Sequence, residues 1–530
     1  MKTQLLGTSI IGFSRGTGDQ VAGHAVHPAS GAQLEPAYLA ATSDEVRHAC
    51  ELAGDAFPLY SALPGKTRAA FLRAIAGEIE SVVEDIAARG PLETGLPDAR
   101  MRGETARTVG QLRMFADLVE DGSWVDARIE HAQPDRQPLP KPDIRSMQRP
   151  LGPVAVFCAS NFPLAFSVAG GDTASALAAG CPVVVIAHAS HPGIAEIVGS
   201  AVMRAALATR MPDGVFSLLY GGGRTVGVSV VRHPSIQAVG FTGSRAGGTA
   251  LMNVASNRDQ PIPVFAEMSS VNPVVILPGA LERGEAALAE AFVGSLTLGA
   301  GQFCTNPGLV FLPEGKGLVF MEKLAALISA SKPGLMLNES ICSSYRDATE
   351  AIAGIEGVET IGRGKVDAGT GEGSPAVFSV SLRRFLEEDR LRGEMFGPAA
   401  LIVRGTIAEI TASIPELEGQ LTGSIHGTEG ELADHARLVA ALESKVGRLV
   451  FNGFPTGVEV CHSMVHGGPY PATSDGRSTS VGTMAIHRFT RAVAWQGFPD
   501  TGLPEELRES NPLGIRRMVD GQVMVMDPGL

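Results

Sequence analysis

Aromatic residues are scarce in this chain. They make up 5% of 530 residues, with two tryptophans and five tyrosines, whereas glycine alone occurs 64 times. Small residues in that number suit helices packed closely on sheets, and 44% apolar residues with 19% charged ones supply large buried cores. At this length several domains are expected rather than one. Basic surplus is also lacking: the net charge is −13, so nothing is available to neutralise a phosphate backbone, and nucleic-acid binding is excluded. No stretch of about 20 residues runs apolar without polar breaks, so no membrane span is expected. The apolar patch behind Lys2 is broken by Gly7 and Thr8 and reads as an early strand, not a signal peptide. The six cysteines, Cys50, Cys158, Cys181, Cys304, Cys342 and Cys461, form no CxxC pair. That removes a disulfide framework and a zinc ribbon, and it fits a reducing, cytoplasmic setting.

Apolar spacing of three and four predicts two amphipathic helices over residues 43–89, the first capped at Ser43, and a third over Arg102–Glu120. The stretch AQPDRQPLPKPDIRSMQRP, residues 132–150, is rich in proline and charge and marks a boundary. Strand and helix then alternate. GPVAVFCAS, CPVVVIA, VFSLLYG, AVGFTGS and PIPVFAEM read as strands, with helices between them, including one over FPLAFSVAGGDTASALAAG. This is the rhythm of βαβ units, so the fold class is α/β with a doubly covered parallel sheet. A second α/β lobe begins near Asn272.

Within that frame one cysteine stands out. TLGAGQFCTNPGLVF places Cys304 among Gly299, Gly301 and Gly308 rather than among bulky apolar neighbours. Glycines allow close approach of backbone and ligand, so the stretch presents a thiol. The usual GxGxxG is absent. The nearest nucleotide candidate is GFTGSRAGG, a strand-to-helix turn carrying Gly243, Ser244 and Gly248. Glu267 ends the apolar strand VFAEMSS and reads either as a general base of raised pKa or as a paired carboxylate. Asn161 in CASNFPLAF can donate to an oxyanion or cap a turn. Glu394 in GEMFGP can bind ribose hydroxyls or sit in a surface loop. EVCHSMVHGG brings Cys461, His462 and His466 together, but its glycines and proline argue for a loop, HExxH is missing, and no metal is expected.

The order Asn161, Gly243, Glu267, Cys304, Glu394, with the local words NFP, FTGS, AEMSS, GQFCTNPG and EMFGP, resembles the aldehyde dehydrogenase superfamily from about Pro28 to Pro504. HPASGAQLEPAY, AHASHPG and FNGFPTGVEVCHSMVHGGPYPATSDGRSTSVG look like the branch of 2,5-dioxovalerate dehydrogenases and related NADP-dependent fatty aldehyde dehydrogenases. The resemblance implies two doubly wound parallel-sheet domains and an oligomerisation hairpin. It divides the chain into a nucleotide-binding domain (1–131 and 151–268), a catalytic domain (269–480), oligomerisation elements (132–150 and 481–507) and a C-terminal tail (508–530). It implies a homodimer or homotetramer using NADP or NAD, with NADP favoured. It also implies that Cys304 is the nucleophile, Asn161 with the Cys304 N–H the oxyanion donor, and Glu267 the water-activating base. Glu394 and Phe396 would hold the nicotinamide ribose and ring, and Gly243, Ser244 and Gly248 the rest of the cofactor. Phe162 would face the substrate.

The chain departs from the pattern at Ile186, which stands where the family usually carries the lysine for the adenosine ribose, with Ala189 nearby in place of a polar residue. Arg224 matches an arginine that can bind a 2′-phosphate. A dicarboxylic semialdehyde needs a cation at its far end, and Arg113, assisted by Gln111, is the candidate in GQLRMFA. The expected reaction is oxidation of α-ketoglutaric semialdehyde to 2-oxoglutarate. The alternatives are a broad oxidiser of fatty or aromatic aldehydes and, favoured only by Ile186, a non-catalytic binding protein on the same fold. Glu267 disfavours a CoA-acylating variant, which needs no such base.

Overall fold

The short strands VAVF, VVVI and FSLL are apolar at every position and buried at every position, as strands covered on both faces must be. In the computed structural model, which describes residues 4–365 and 371–524, they form the middle of a seven-stranded sheet. Val264–Glu267, Ala238–Thr242, Val154–Phe157, Val183–Ile186 and Phe216–Leu219 lie side by side in that order, all parallel. The hairpin strands Ile10–Ile11 and Ser14–Arg15 extend the far edge antiparallel. From Val154–Phe157 the chain builds outward to one side, then crosses to Ala238–Thr242 and builds to the other. The strand order reverses between those two strands, and ligands of such sheets bind beyond the carboxyl ends at that point.

A second seven-stranded sheet repeats the device. Pro273–Ile276 is flanked by Leu309–Pro313 on one side and Gln420–His426 on the other, all parallel. A third, five-stranded sheet joins Thr490–Gln496, Ile144–Pro150, Arg128–Glu130, Arg517–Val519 and Gln522–Met524. The proline-rich stretch starts as the excursion after Arg128–Glu130, bridged once between Gln133 and Lys141, and ends as the strand Ile144–Pro150. Part of the expected C-terminal tail is therefore sheet, since Arg517–Val519 pairs with Arg128–Glu130; residues 525–530 lie outside the described residues.

The α/β reading and the alternation of elements hold. The helices differ in detail. Residues 43–94 form three helices rather than two by residue 89: α1 (Ser43–Ser61), α2 (Gly65–Ser81) and α3 (Val83–Thr94), with the break at Val82. The first is capped by Thr42, not Ser43, because Glu45 three residues on completes a reciprocal capping box. The fourth helix, α4 (Asp98–Asp121), starts directly after Pro97, four residues earlier than expected. The helix expected from Phe162 forms only over Gly171–Ala179. Ahead of it the chain folds back through turns, and the Phe166 carbonyl accepts the Ala159 N–H at 2.9 Å. That fold-back sets Asn161 at the sheet's carboxyl edge. Among the described residues no helix is long and apolar enough to cross a membrane.

The helix Gly171–Ala179 is tied to α1 by one buried bond, from Tyr60 Oη to the Leu177 carbonyl at 2.9 Å. Tyr60 is fully buried. Tyr60→Phe should lower unfolding stability by about 1 kcal/mol, read from the urea midpoint, with turnover unchanged.

Candidate active site

Cys304 stands on a loop that only unusual backbone permits. Gly299, Ala300 and Gly301 all have positive φ, at 56°, 55° and 66°. A Cβ on Gly301 would collide with the backbone of Gly397, so glycine there lets the loop lie against Phe396–Pro398. Asn272, fully buried with φ 50°, holds the loop from beneath. Its Nδ2 donates to the carbonyls of Cys304 (2.8 Å) and Asn306 (2.9 Å), and its Oδ1 accepts from Ser270 and Thr422. Asn306 Nδ2 in turn donates to the Gly397 carbonyl at 3.0 Å.

The thiol meets two groups from distant parts of the chain. His466 Nε2 lies 3.5 Å from Cys304 Sγ and 2.9 Å from Glu267 Oε1. Ser480 Oγ donates to the other Glu267 oxygen at 2.7 Å. Asn161 Nδ2 donates to the Gln302 carbonyl at 3.1 Å, which sets the carboxamide beside the nucleophile loop. Asn161, Glu267 and Cys304 are thus brought together as expected. His466 joins them, and sequence reasoning left it as a loop or packing residue. Nothing local marks it: it lies in VHGG, 162 residues from Cys304. Cys461 and His462 stand apart, at a separate surface opening.

The electrostatics correct one expectation. Burial alone would raise the Glu267 pKa, but His466, Ser480 and Cys304 together pull it below the usual carboxylate value. Glu267 is therefore an ionised carboxylate, not a raised one. Cys304 is pushed well above an ordinary thiol, first by burial and then by the Glu267 charge. Glu394 goes the other way to Glu267. Burial pushes it up to about 7, only partly opposed by Ser269 and the Ser270 amide.

A cavity of about 380 Å³ opens on one side of Cys304, lined by Asn161, Gly243, Ser244, Glu267, Glu394 and Phe396. These residues fit a nicotinamide dinucleotide. Glu394 is a carboxylate with no ion pair among the described residues, suited to hydroxyl donors. Ser244 caps the helix Arg245–Ser256 at the switch point, where phosphates are favoured. Gly243 does not offer its own N–H, which the Glu267 carbonyl accepts at 3.0 Å. Gly248 sits behind the cavity, and a Cβ there would meet Met268 Sδ at 2.6 Å, so it serves close helix-on-strand packing.

Two expected ligand contacts, at Ile186 and Arg113, fall elsewhere, and Arg224 lies beyond the lining of this cavity. Ile186 is 3% exposed, and its side chain packs in an apolar cluster with Phe157, Leu219 and Val226 rather than into the cavity. Arg224 is exposed in the turn after Phe216–Leu219, outside the cavity and without an ion pair among the described residues. Arg113 is on the outward face of α4, half exposed and paired to Glu80 at 2.6 Å. It is absent from the lining of both chambers that border Cys304. Gln111 is buried and lines the separate opening. Phe162 lines a second chamber with Cys304.

Glu267→Gln removes the negative charge beside the thiol. Cys304 alkylation by iodoacetamide at neutral pH should quicken roughly tenfold, about one unit of thiol pKa. His466→Ala should slow it, and the pH dependence of the alkylation rate checks both.

Comparison with known proteins agrees with this geometry. The model of the "Aldehyde dehydrogenase family" matches residues 17–492. The chain is 52% identical over 522 residues to alpha-ketoglutaric semialdehyde dehydrogenase 2 of Azospirillum brasilense, covering 98% of this chain and 99% of that protein. It is 45% identical to the alpha-ketoglutaric semialdehyde dehydrogenase of Acinetobacter baylyi, covering 91% and 92%. Lactaldehyde dehydrogenase from Escherichia coli shares the fold, with a TM-score of 0.80 at 23% identity, covering 92% of this chain and 98% of that one. The chain is an enzyme and belongs to the aldehyde dehydrogenase family.

Proposed function

We propose that this enzyme oxidises α-ketoglutaric semialdehyde to 2-oxoglutarate with NAD(P). The observation that carries the reading is the place of Cys304, whose thiol borders both the 380 Å³ cavity and a second chamber of about 230 Å³. A thiol between two cavities can meet a cofactor on one side and an aldehyde on the other. The two semialdehyde dehydrogenases at 52% and 45% identity supply the substrate class.

The thiol gives up its proton to solvent, while His466 Nε2–H stays donated to ionised Glu267. The thiolate adds to the aldehyde carbon, forming a thiohemiacetal whose oxyanion faces Asn161 Nδ2 and the Cys304 N–H. A dinucleotide held by Glu394 and the Ser244 turn supplies the oxidant when bound, leaving a thioester on Cys304. Glu267 accepts a proton from a water molecule, whose oxygen attacks the thioester carbon. The C–S bond breaks, the acid departs and the thiol is restored. Burial beside Glu267 explains why the thiol is neutral at rest, protected until substrate arrives.

The cofactor preference we infer is NADP. The lysine position is a buried isoleucine, and the cation that supports the reading is Arg224, exposed in the turn after Phe216–Leu219 and without an ion pair among the described residues. The outer sheet built from residues 128–150, 490–496 and 517–524 is the surface we assign to pairing of like subunits.

Cys304→Ala should abolish turnover, since among the described residues no other nucleophile borders both cavities. Glu267→Gln should give a burst of NAD(P)H near one equivalent and then stall, because deacylation loses its base; an unchanged steady state would refute that role. Arg224→Ala should reduce kcat/KM for NADP relative to NAD by roughly tenfold or more, the value of a charge-assisted phosphate contact, as read by initial rates with each cofactor.

A further inference from the structure

Helix α4 carries Arg100, Glu104, Arg107 and Gln111 at intervals of four, three and four residues, one stripe of a 3.6-residue helix. The first three form a wall of the 230 Å³ chamber that holds Cys304 and His466, with Phe162, Phe303 and Val458 opposite. The two arginines are not alike. Arg100 has its charge matched: Nε donates to Glu104 at 2.7 Å, and the guanidinium lies over the rings of Phe162 and Phe303, 4.6 and 4.8 Å from their centroids.

Arg107 has no carboxylate within ion-pair distance among the described residues. Its one hydrogen bond, from Nη1 to the Val458 carbonyl at 2.6 Å, leaves most of its donor fork unused. Burial lowers its pKa, so the charge is held in a partly desolvated place. Removing a guanidinium from water without an anion is unfavourable unless a ligand brings one. Its position says which ligand. Arg107 borders both the inner chamber and a wider opening of about 530 Å³, so it stands at the neck through which substrate passes to Cys304. Gln111, 4% exposed, lines the same opening and has an Nε2 without a partner.

We propose that Arg107, with Gln111 as a second donor, binds the carboxylate at the end of the substrate remote from the aldehyde. The site then selects short aldehydes that end in an acid. This rests on the aldehyde-oxidising reading above and replaces Arg113 in the role expected for it. A carboxylate forked on Arg107 directs the aldehyde end inward to Cys304. A long alkyl chain crossing the same neck would desolvate the guanidinium and return nothing, which disfavours fatty aldehydes.

The test compares kcat/KM for α-ketoglutaric semialdehyde and for butanal in the wild type, Arg107→Gln and Arg107→Lys. Product inhibition by 2-oxoglutarate and inhibition by glutarate are measured alongside. Arg107→Gln keeps a donor for the Val458 carbonyl, so the wall is preserved. It should lower the semialdehyde-to-butanal ratio roughly tenfold to a hundredfold, mostly through KM, and raise both inhibition constants similarly. Arg107→Lys should recover part of the loss, keeping the charge without the fork. Equal losses on both aldehydes, or unchanged inhibition constants, would overturn the assignment. If the wild type oxidises butanal but not the semialdehyde, the substrate reading falls instead; glutarate inhibition that disappears in Arg107→Gln would still uphold the anion site.

Discussion

The carboxamide of Asn272 is the constraint on which the catalytic arrangement depends. It lies where the first sheet hands the chain to the second, and its side chain binds the carbonyls on either side of Thr305. The backbone of Cys304 is thereby held to the seam between the sheets. Each such buried carbonyl, left unmade, would cost about 1–3 kcal/mol, so the loop has one seat. The strained turn at Ala300 persists because this seat over-determines it. Glu267 reaches the same seam from the end of its strand, which is stitched to the later loop through Thr473 and Ser474. That loop also carries His466 and Ser480. A single junction therefore fixes nucleophile, base and imidazole together.

Two carboxylates near the thiol are driven apart by what faces them. Glu267 is paired and hydrogen-bonded, so its pKa is depressed; the stability it contributes is present at neutral pH and lost as pH falls through its folded value. Glu394 has only a hydroxyl and an amide, and burial raises it to about 7. Its folded form binds a proton that the unfolded chain has released, so its contribution weakens as pH rises from the ordinary carboxylate value toward 7. The first is poised as a charge, the second as a partner for hydroxyl groups. Environments that separate like groups in this way mark their different tasks.

Much of the site was legible because the chemistry sits in short local words. A thiol among glycines, a carboxylate ending an apolar strand and an asparagine after a strand each carry a physical signature within a few residues. Where the sequence misled, the cause was geometric. Arg113 and Arg107 are six residues apart on one helix, and only Arg113 has apolar neighbours on both sides, yet it pairs with Glu80 while Arg107 lines the chamber beside Cys304. The choice depends on which side of α4 meets the loop at Val458. Ile186 is legible in the sequence as a departure, but only the structure shows its side chain packed against Phe157 and Leu219.

By itself the sequence determined the α/β class, the order of strands and helices, and the identity of the reacting groups. Those follow from periodicity, turn chemistry and residue type, all of which are local. Tertiary structure alone decided that His466 joins Cys304 and Glu267, that Glu267 stays ionised, and that Arg107 rather than Arg113 lines the chamber beside Cys304. Such facts are set by contacts between segments hundreds of residues apart in the chain or by the rotation of a helix about its axis. Charge, burial and distance act through space, and no spacing along the chain encodes them.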